Sequence, residues 1–220
     1  MKELKIKVCG LKNQQNINEI EDCDLDYVGF IFYEKSKRFV EENQLITTSQ
    51  NFKRVGIFVN SSIQNICDKV IQYNLDVVQL HGDESPLEVK KIRSEILKLS
   101  LHKFIEIWKA ISIKKESDIH KADAYQHIID KFLFDTKGKL YGGNGQHFDW
   151  QILDEYSYSP PFLLSGGISN KDVSAIKEIK HPKLHGIDIN SQFEVKPGLK
   201  NINLIKEFTK SIKQNEKLTI

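Results

Sequence analysis

The residues best able to do chemistry in this chain occur singly, each just past a short apolar run. Cys9 ends one run, Gln79 and His81 end another, Asp135 a third, and Asp188-Ile189-Asn190-Ser191 a fourth. Lys35-Ser36-Lys37-Arg38 and Lys109 add cations in comparable positions, and Ser165-Gly166-Gly167 adds a glycine pair. A thiol and a carboxyl can take and give protons if both face one cleft. The planar fork of Arg38 suits a planar anion. Two successive glycines let backbone N–H groups approach an anion closely, and a following helix N-terminus adds its dipole.

None of these signals is specific alone. A cysteine ending a buried strand is ordinarily a small core hydrophobe. Asp135 could cap a turn, Arg38 could be a solvated charge among lysines, and His81 could hydrogen-bond a rim. Cys23 and Cys67 read as structural, and the remaining histidines carry no functional expectation. What decides is whether the elements around these residues bring them to one place.

Composition narrows the classes. The chain has 220 residues, with 32 Lys plus Arg against 30 Asp plus Glu, a net +2 with neutral histidine. Cations and anions interleave, which excludes a strongly basic nucleic-acid binder. With 40% hydrophobic residues, 12 Gly and 5 Pro, the composition is globular. The three cysteines are odd in number and sparse, which suits a reducing, cytoplasmic setting. No CxxC or Cys/His cluster has metal-ligand spacing, so no metal is expected. The N-terminus alternates charge with apolar residues, unlike a signal peptide, and no stretch approaches the ~20 apolar residues of a membrane span.

The apolar runs recur regularly: Leu4–Val8, Tyr27–Phe32, Arg54–Val59, Asp76–Leu80, Ile105–Lys109, Lys131–Asp135, Pro161–Ser165 and Leu184–Ile189. Short runs bounded by polar or glycine residues read as buried parallel strands. Between them lie helical patterns. Ile63, Ile66, Cys67, Val70 and Ile71 follow one helix face. Ser85-Pro86-Leu87-Glu88 is a capping box with Pro at the first helical position. Ser169-Asn170-Lys171-Asp172 offers a second N-cap, and Ile202, Ile205, Phe208 and Ile212 mark a last helix. Eight strand–helix units predict an α/β fold, a (β/α)8 TIM barrel forming a single domain over residues 1–220. The rival, an open doubly wound sheet, would carry a glycine-rich turn after its first strand; Cys9-Gly10-Leu11-Lys12 is not one. In such a barrel the strand C-termini carry catalysis, and the loops after the last two strands bind phosphate.

The motifs then form a series. Lys7-Val8-Cys9-Gly10 is followed by Gly29-Phe30-Ile31-Phe32, Lys35-Ser36-Lys37-Arg38 and Val55-Gly56-Ile57-Phe58-Val59-Asn60. Val78-Gln79-Leu80-His81-Gly82 comes next, then Asp135, Tyr141-Gly142-Gly143-Asn144-Gly145 and Phe148-Asp149-Trp150. Ser165-Gly166-Gly167 and Gly186-Ile187-Asp188 through Pro197-Gly198 complete it. In this order and spacing the chain resembles the N-(5'-phosphoribosyl)anthranilate isomerase family of tryptophan biosynthesis. Two departures are Lys37, where the family often has Pro, and Asn144, where Thr is common.

The resemblance implies a phosphorylated small-molecule substrate and an Amadori rearrangement run without any cofactor. It assigns Asp135 as general acid and Cys9 as general base, the latter requiring a lowered thiol pKa and partial exposure. It assigns Arg38 to the anthranilate carboxylate, and His81 and Asp188 to positioning the substrate. The phosphate is expected at Gly166, Gly167, Asn190 and Ser191. The expected state is a monomer, with a homodimer as the alternative, acting in the cytoplasm with no membrane or nucleic-acid partner and no second pathway enzyme fused to it. One alternative function is another phosphosugar isomerase of the same barrel superfamily, such as that of histidine biosynthesis, which uses aspartates on strands 1 and 5. Another is a non-catalytic phosphoanthranilate-binding barrel, which would be expected to lack Cys9 or Asp135.

Overall fold

The structure is a computed structural model, describing residues 3–41, 44, 46–48, 52–99, 102–136 and 148–214. Its strands are β1 (Lys5–Cys9), β2 (Tyr27–Ile31), β3 (Lys53–Phe58), β4 (Val77–Leu80), β5 (Glu106–Ile113), β6 (Lys131–Thr136), β7 (Phe162–Leu164) and β8 (Leu184–Ile189). These eight pair in sequence order into a closed barrel, as the spacing of the apolar runs predicts. Closure comes from β8 lying parallel to β1, with Lys7 opposite Asp188.

Successive strand residues face opposite sides, so each strand serves two cores. Ile6, Val8, Phe30, Leu80, Phe132, Phe134 and Ile187 point outward into the layer beneath the helices. Tyr27, Ile31, Val55, Ile57, Val77, Trp108, Leu133 and Leu163 form a second cluster with Cys9, filling the barrel itself. The interior is therefore packed at its base by large side chains, and only its upper end is available for chemistry.

The α-helices are α1 (Gln14–Ile20), α2 (Ile63–Gln72), α3 (Pro86–Lys98), α4 (Val173–Glu178) and α5 (Ile202–Lys213). In α2, Ile66, Cys67 and Val70 are buried, but Ile71, at the edge of the apolar stripe, is 57% exposed. The α3 capping box forms as expected: Glu88 N–H donates to Ser85 Oγ, and Ser85 N–H donates to Glu88 Oε2 at 2.7 Å. Not every connection is α-helical. Glu116–Ala124 and Trp150–Glu155 are 3-10 segments, and no helix lies between β2 and β3 among the described residues. A hairpin of β9 (Glu194–Lys196) and β10 (Leu199–Lys200) follows β8, turning at Gly198, whose φ is +82°. It is too short and too polar for periodicity to reveal.

One expectation needs correcting here. Lys109 does not follow the fifth strand, because β5 continues to Ile113 and leaves it mid-strand. Its parity turns it outward, where Nζ donates to Gly82 O at 2.7 Å and to Glu84 Oε2 at 2.9 Å, pinning the loop after β4.

The N-terminal end of the barrel is closed by a charged cluster. Glu106 accepts from Lys53 Nζ at 2.8 Å, from Trp108 Nε1 at 2.8 Å, and from Lys131 Nζ. Burial alone would raise the Glu106 pKa, but the bonds from Lys131, Lys53 and Trp108 overturn that and hold it at about 2. A carboxyl depressed in the folded state contributes stability that is complete above its unfolded pKa and is lost as pH falls through the folded value. Stability should accordingly fall between the ordinary glutamate range and pH 2 in denaturant titrations. Glu106→Gln should cost on the order of 2 kcal/mol at pH 7, the scale of hydrogen bonds to a charged group, and should flatten that acid limb. An unchanged acid limb in the variant would show that other carboxyls set it.

Candidate active site

At the C-terminal end the barrel opens into a cleft continuous with solvent. Cys9, Arg38, His81, Asp135, Ser165, Gly166, Gly167, Asp188, Asn190 and Ser191 all line it, from six separate strand ends. Gln79, Tyr33 and Ser36 line it too. Residues distributed over nearly the whole sequence thus share one cavity.

Cys9 projects inward from the end of β1, two residues beyond Lys7 and on the same face. Gly29 leaves room for it: a Cβ there would lie 3.1 Å from Cys9 Sγ. Lys7, fully buried, donates from Nζ to Asp188 Oδ2 at 2.9 Å. The strand register makes this contact, since the two residues are paired across the closing seam. Burial opposes charge on Lys7, but Asp188 and, whenever it is ionised, Cys9 outweigh it and raise the Lys7 pKa. Among the described residues, Asp188 Oδ1 is buried without a hydrogen-bond partner, as is Gln79 Oε1.

The state of Cys9 departs from expectation. The sequence reading asks for a partly exposed thiol with a lowered pKa; Cys9 is 5% exposed. Burial pushes its thiol pKa up, and the opposing pull of Lys7 and Lys200 does not reverse this. The resting group is a shielded thiol, with a cation held in reserve beside it. Cys23 and Cys67 are likewise buried and free, in agreement with their structural reading.

Asp135 sits near the end of β6, 4% exposed, with Oδ2 3.4 Å from His81 Nε2. His81 Nδ1 in turn lies 3.1 Å from Gln79 Nε2. An amide N–H donating to Nδ1 leaves the ring proton on Nε2, directed at Asp135. Gly166 permits this arrangement, because at φ +94° a Cβ would fall 2.8 Å from Asp135 Oδ1 and 2.4 Å from Thr136 Oγ1. Gly167 also has positive φ, at +70°. The two glycines form a concave backbone segment suited to an anion. The helical dipole invoked for this site is small, for a single 3-10 turn and the six-residue α4 follow. The glycine loop at Tyr141–Gly145, with Asn144, lies outside the described residues.

Arg38 also differs from a freely presented fork. Its Nε donates to Glu194 Oε1 at 2.8 Å and its Nη2 to Glu194 Oε2 at 2.5 Å, with the side chain 15% exposed. Lys35 and Lys37 are exposed and do not line the cleft.

With the geometry in hand, comparison with known proteins is decisive. A profile of the N-(5'phosphoribosyl)anthranilate (PRA) isomerase family matches residues 6–211. The chain belongs to that family. It is 43% identical to an N-(5'-phosphoribosyl)anthranilate isomerase of Parabacteroides distasonis, covering 94% of this chain and 92% of that one. It is 39% identical to the counterpart from Phocaeicola vulgatus, covering 95% and 98%. Among solved structures, a phosphoribosyl anthranilate isomerase from Thermotoga maritima superposes with TM-score 0.78 at 32% identity, covering 96% of this chain and 98% of that one. Another, in complex with reduced 1-(o-carboxyphenylamino)-1-deoxyribulose 5-phosphate, gives 0.77 at 29% identity, with the same coverage.

The isomerase is therefore an enzyme of tryptophan biosynthesis on a TIM barrel. Sequence reasoning missed Lys7, Glu194 and Lys200, which do not line the cleft but bond to Asp188, Arg38 and Asn190 that do. The signal for Lys7 was available: a lysine inside a buried strand, sharing parity with Cys9. Glu194 and Lys200 had none, since nothing local ties a carboxylate to an arginine 156 residues away.

Two outcomes follow. Gly166→Ala should keep the barrel folded but lower kcat by roughly tenfold or more, since strain of about 1–3 kcal/mol at a left-handed residue is relieved by moving Asp135. Iodoacetamide should label Cys9 slowly at pH 7, with a rate still rising beyond pH 9, because only the thiolate attacks. A rate that levels off below pH 8 would contradict the shielded-thiol state.

Proposed function

We propose that residues 1–220 act as a single (β/α)8-barrel catalytic domain that rearranges N-(5'-phosphoribosyl)anthranilate to 1-(2-carboxyphenylamino)-1-deoxyribulose 5-phosphate, with Asp135 as general acid and Cys9 as general base. The observation carrying this reading is that a thiol from β1 and a carboxyl from β6 share the one cleft that also holds a glycine-pair anion loop. The relative's complex with a reduced carboxyphenylamino sugar phosphate supports the same ligand class here.

The phosphate docks on backbone N–H groups at Gly166 and Gly167 and on the Asn190-Ser191 segment. Arg38 receives the ring carboxylate, and His81 and Asp188 orient the sugar. Asp135 delivers a proton to the furanose oxygen; the bond from that oxygen to C1' breaks, and C1' becomes an iminium carbon. His81 Nε2–H then steadies the carboxylate left behind. Once the iminium has formed, Cys9 gives its thiol proton to solvent at the cleft mouth and, as thiolate, removes the proton from C2'; the electron pair of that C–H bond forms the C1'–C2' double bond and neutralises the iminium nitrogen. The resulting enolamine tautomerises to the ketone. The chemistry calls for no cofactor.

The resting thiol fits this sequence if charge arrives with the reaction. An iminium in a low-dielectric cleft favours an adjacent thiolate, and Lys7 already stands on the other side. Burial, with the Asp188 carboxylate opposing the pull of that lysine, keeps Cys9 from ionising before substrate binds. The three cysteines, all free, suit the reducing setting proposed for the enzyme, the cytoplasm.

Purified protein should quench the fluorescence of phosphoribosylanthranilate with no metal or nucleotide added. Persisting fluorescence, or a requirement for a cofactor, would refute the activity. Asp135→Asn should lower kcat by ~10²–10⁴-fold while KM stays within a few-fold, because an amide binds but cannot donate that proton. Cys9→Ala and Cys9→Ser should both be nearly inactive and folded, whereas Cys23→Ser should cost stability only. Near-normal kcat in Cys9→Ala would return Cys9 to a packing role.

A further inference from the structure

We infer that Glu194, on the β9–β10 hairpin, is a positioning residue that fixes the guanidinium of Arg38 at the cleft wall and thereby sets selectivity for a substrate bearing a ring carboxylate. The inference rests on the proposed reading that Arg38 takes that carboxylate. It goes further by assigning a role to the hairpin, which neither lines the barrel nor belongs to the strand–helix repeat.

The first observation is how firmly Glu194 is held. Its side chain is 4% exposed. Oε1 accepts from Lys200 Nζ at 2.8 Å and from Gly198 N–H at 3.0 Å, besides Arg38 Nε. Burial raises the Glu194 pKa, but bonds and charge from Arg38 and Lys200 outweigh it and keep the group ionised. A carboxylate fastened by three neighbours does not leave to make way for an incoming anion. It stays, and Arg38 stays with it.

The second is which part of Arg38 is used. Glu194 engages Nε and Nη2, one edge of the planar fork. The Nη1 end takes no part in this pair, and Arg38 lines the cleft. A guanidinium has five donors in fixed geometry, so holding one edge orients the other. The backbone is shaped for the crossing. Gly10, at φ +79°, lies under the arginine stem, and a Cβ there would be 2.6 Å from Arg38 Cδ and 2.9 Å from Asn190 Oδ1.

The third is charge. Glu194 alone would cancel Arg38 and leave nothing to attract an anion. Burial pulls the pKa of Lys200, whose side chain is fully buried, down to about 8, which still leaves it a cation at neutral pH; two cations around one carboxylate then leave a net positive charge. Lys200 Nζ also donates to Asn190 Oδ1 at 2.7 Å, tying the hairpin to the loop proposed for phosphate. A pre-oriented arginine loses less rotamer freedom on binding, so affinity is gained without a new contact.

The test compares two probes by calorimetry: the reduced product analogue with its ring carboxylate, and the same phenylamino deoxyribitol phosphate lacking it. The natural protein should prefer the carboxylated probe. Arg38→Ala should abolish that preference. Glu194→Gln should lower it by about tenfold or more, the worth of a misaligned charged hydrogen bond, while affinity for the probe lacking the carboxylate is retained. In turnover, Glu194→Gln should raise KM with kcat within a few-fold. If it leaves Lys200 unpaired and fails to fold, the double variant Glu194→Gln with Lys200→Gln removes the buried pair together and is read the same way. An unchanged preference in the Glu194 variant, beside its loss in Arg38→Ala, overturns the inference and leaves the reading of Arg38 intact. Equal weakening toward both probes also overturns it, marking Glu194 as structural. An unchanged preference in Arg38→Ala overturns the reading on which the inference stands.

Discussion

Everything at the mouth of this barrel depends on one buried contact, the ion pair between Lys7 and Asp188 across the seam where β8 meets β1. Two charges inside a strand barrel are costly to dehydrate, and removing either would strand the other. They are tolerated because the register sets them opposite one another at 2.9 Å. The same register orders the layer above. Cys9 stands over the ammonium, and no described residue donates to the second oxygen of Asp188. A barrel whose seam slipped by one residue would turn Lys7 and Cys9 outward together, since strand period is two.

The interior is accordingly graded. Its base is hydrophobic, with Tyr27 and Trp108 meeting edge to face at 5.0 Å. Its upper end is polar, with acceptors on Gln79 and Asp188 that no described residue meets. An apolar top would bury more surface and no unpaired oxygen. Acceptors in that position suit a ligand that brings its own donors. The ion cluster around Glu106 closes the far end, so the two ends divide stability and chemistry between them.

Glycine has a specific task at three positions around this site. Gly29 gives Cys9 its space, Gly10 lets Arg38 cross, and Gly166 lets Asp135 lie against the loop after β7. In each case the side chain that cannot be present at one residue is what allows a functional side chain to be present at another. The pairs are far apart in sequence, which is why a glycine count alone says nothing about them.

The sequence by itself determined the architecture and most of the cast. Eight apolar runs of strand length, in order, specify a parallel barrel, and the capping residues Ser85 and Ser169 mark helix starts where they occur. Cys9, Asp135, His81, Asp188 and the glycine pair were legible because residues at the C-terminal ends of barrel strands are held at one rim. The resemblance to the family then supplied roles that periodicity cannot. Only the tertiary structure decided the state of those residues. It made Cys9 a shielded thiol, moved Lys109 to the outer face, joined Lys7 to Asp188 over 181 positions, and bound Arg38 to a hairpin with no periodic signature. The reason is physical: a local pattern reports the period of one element, whereas dehydration and charge depend on every chain segment that closes around a residue, and here those segments meet only when β8 returns to β1.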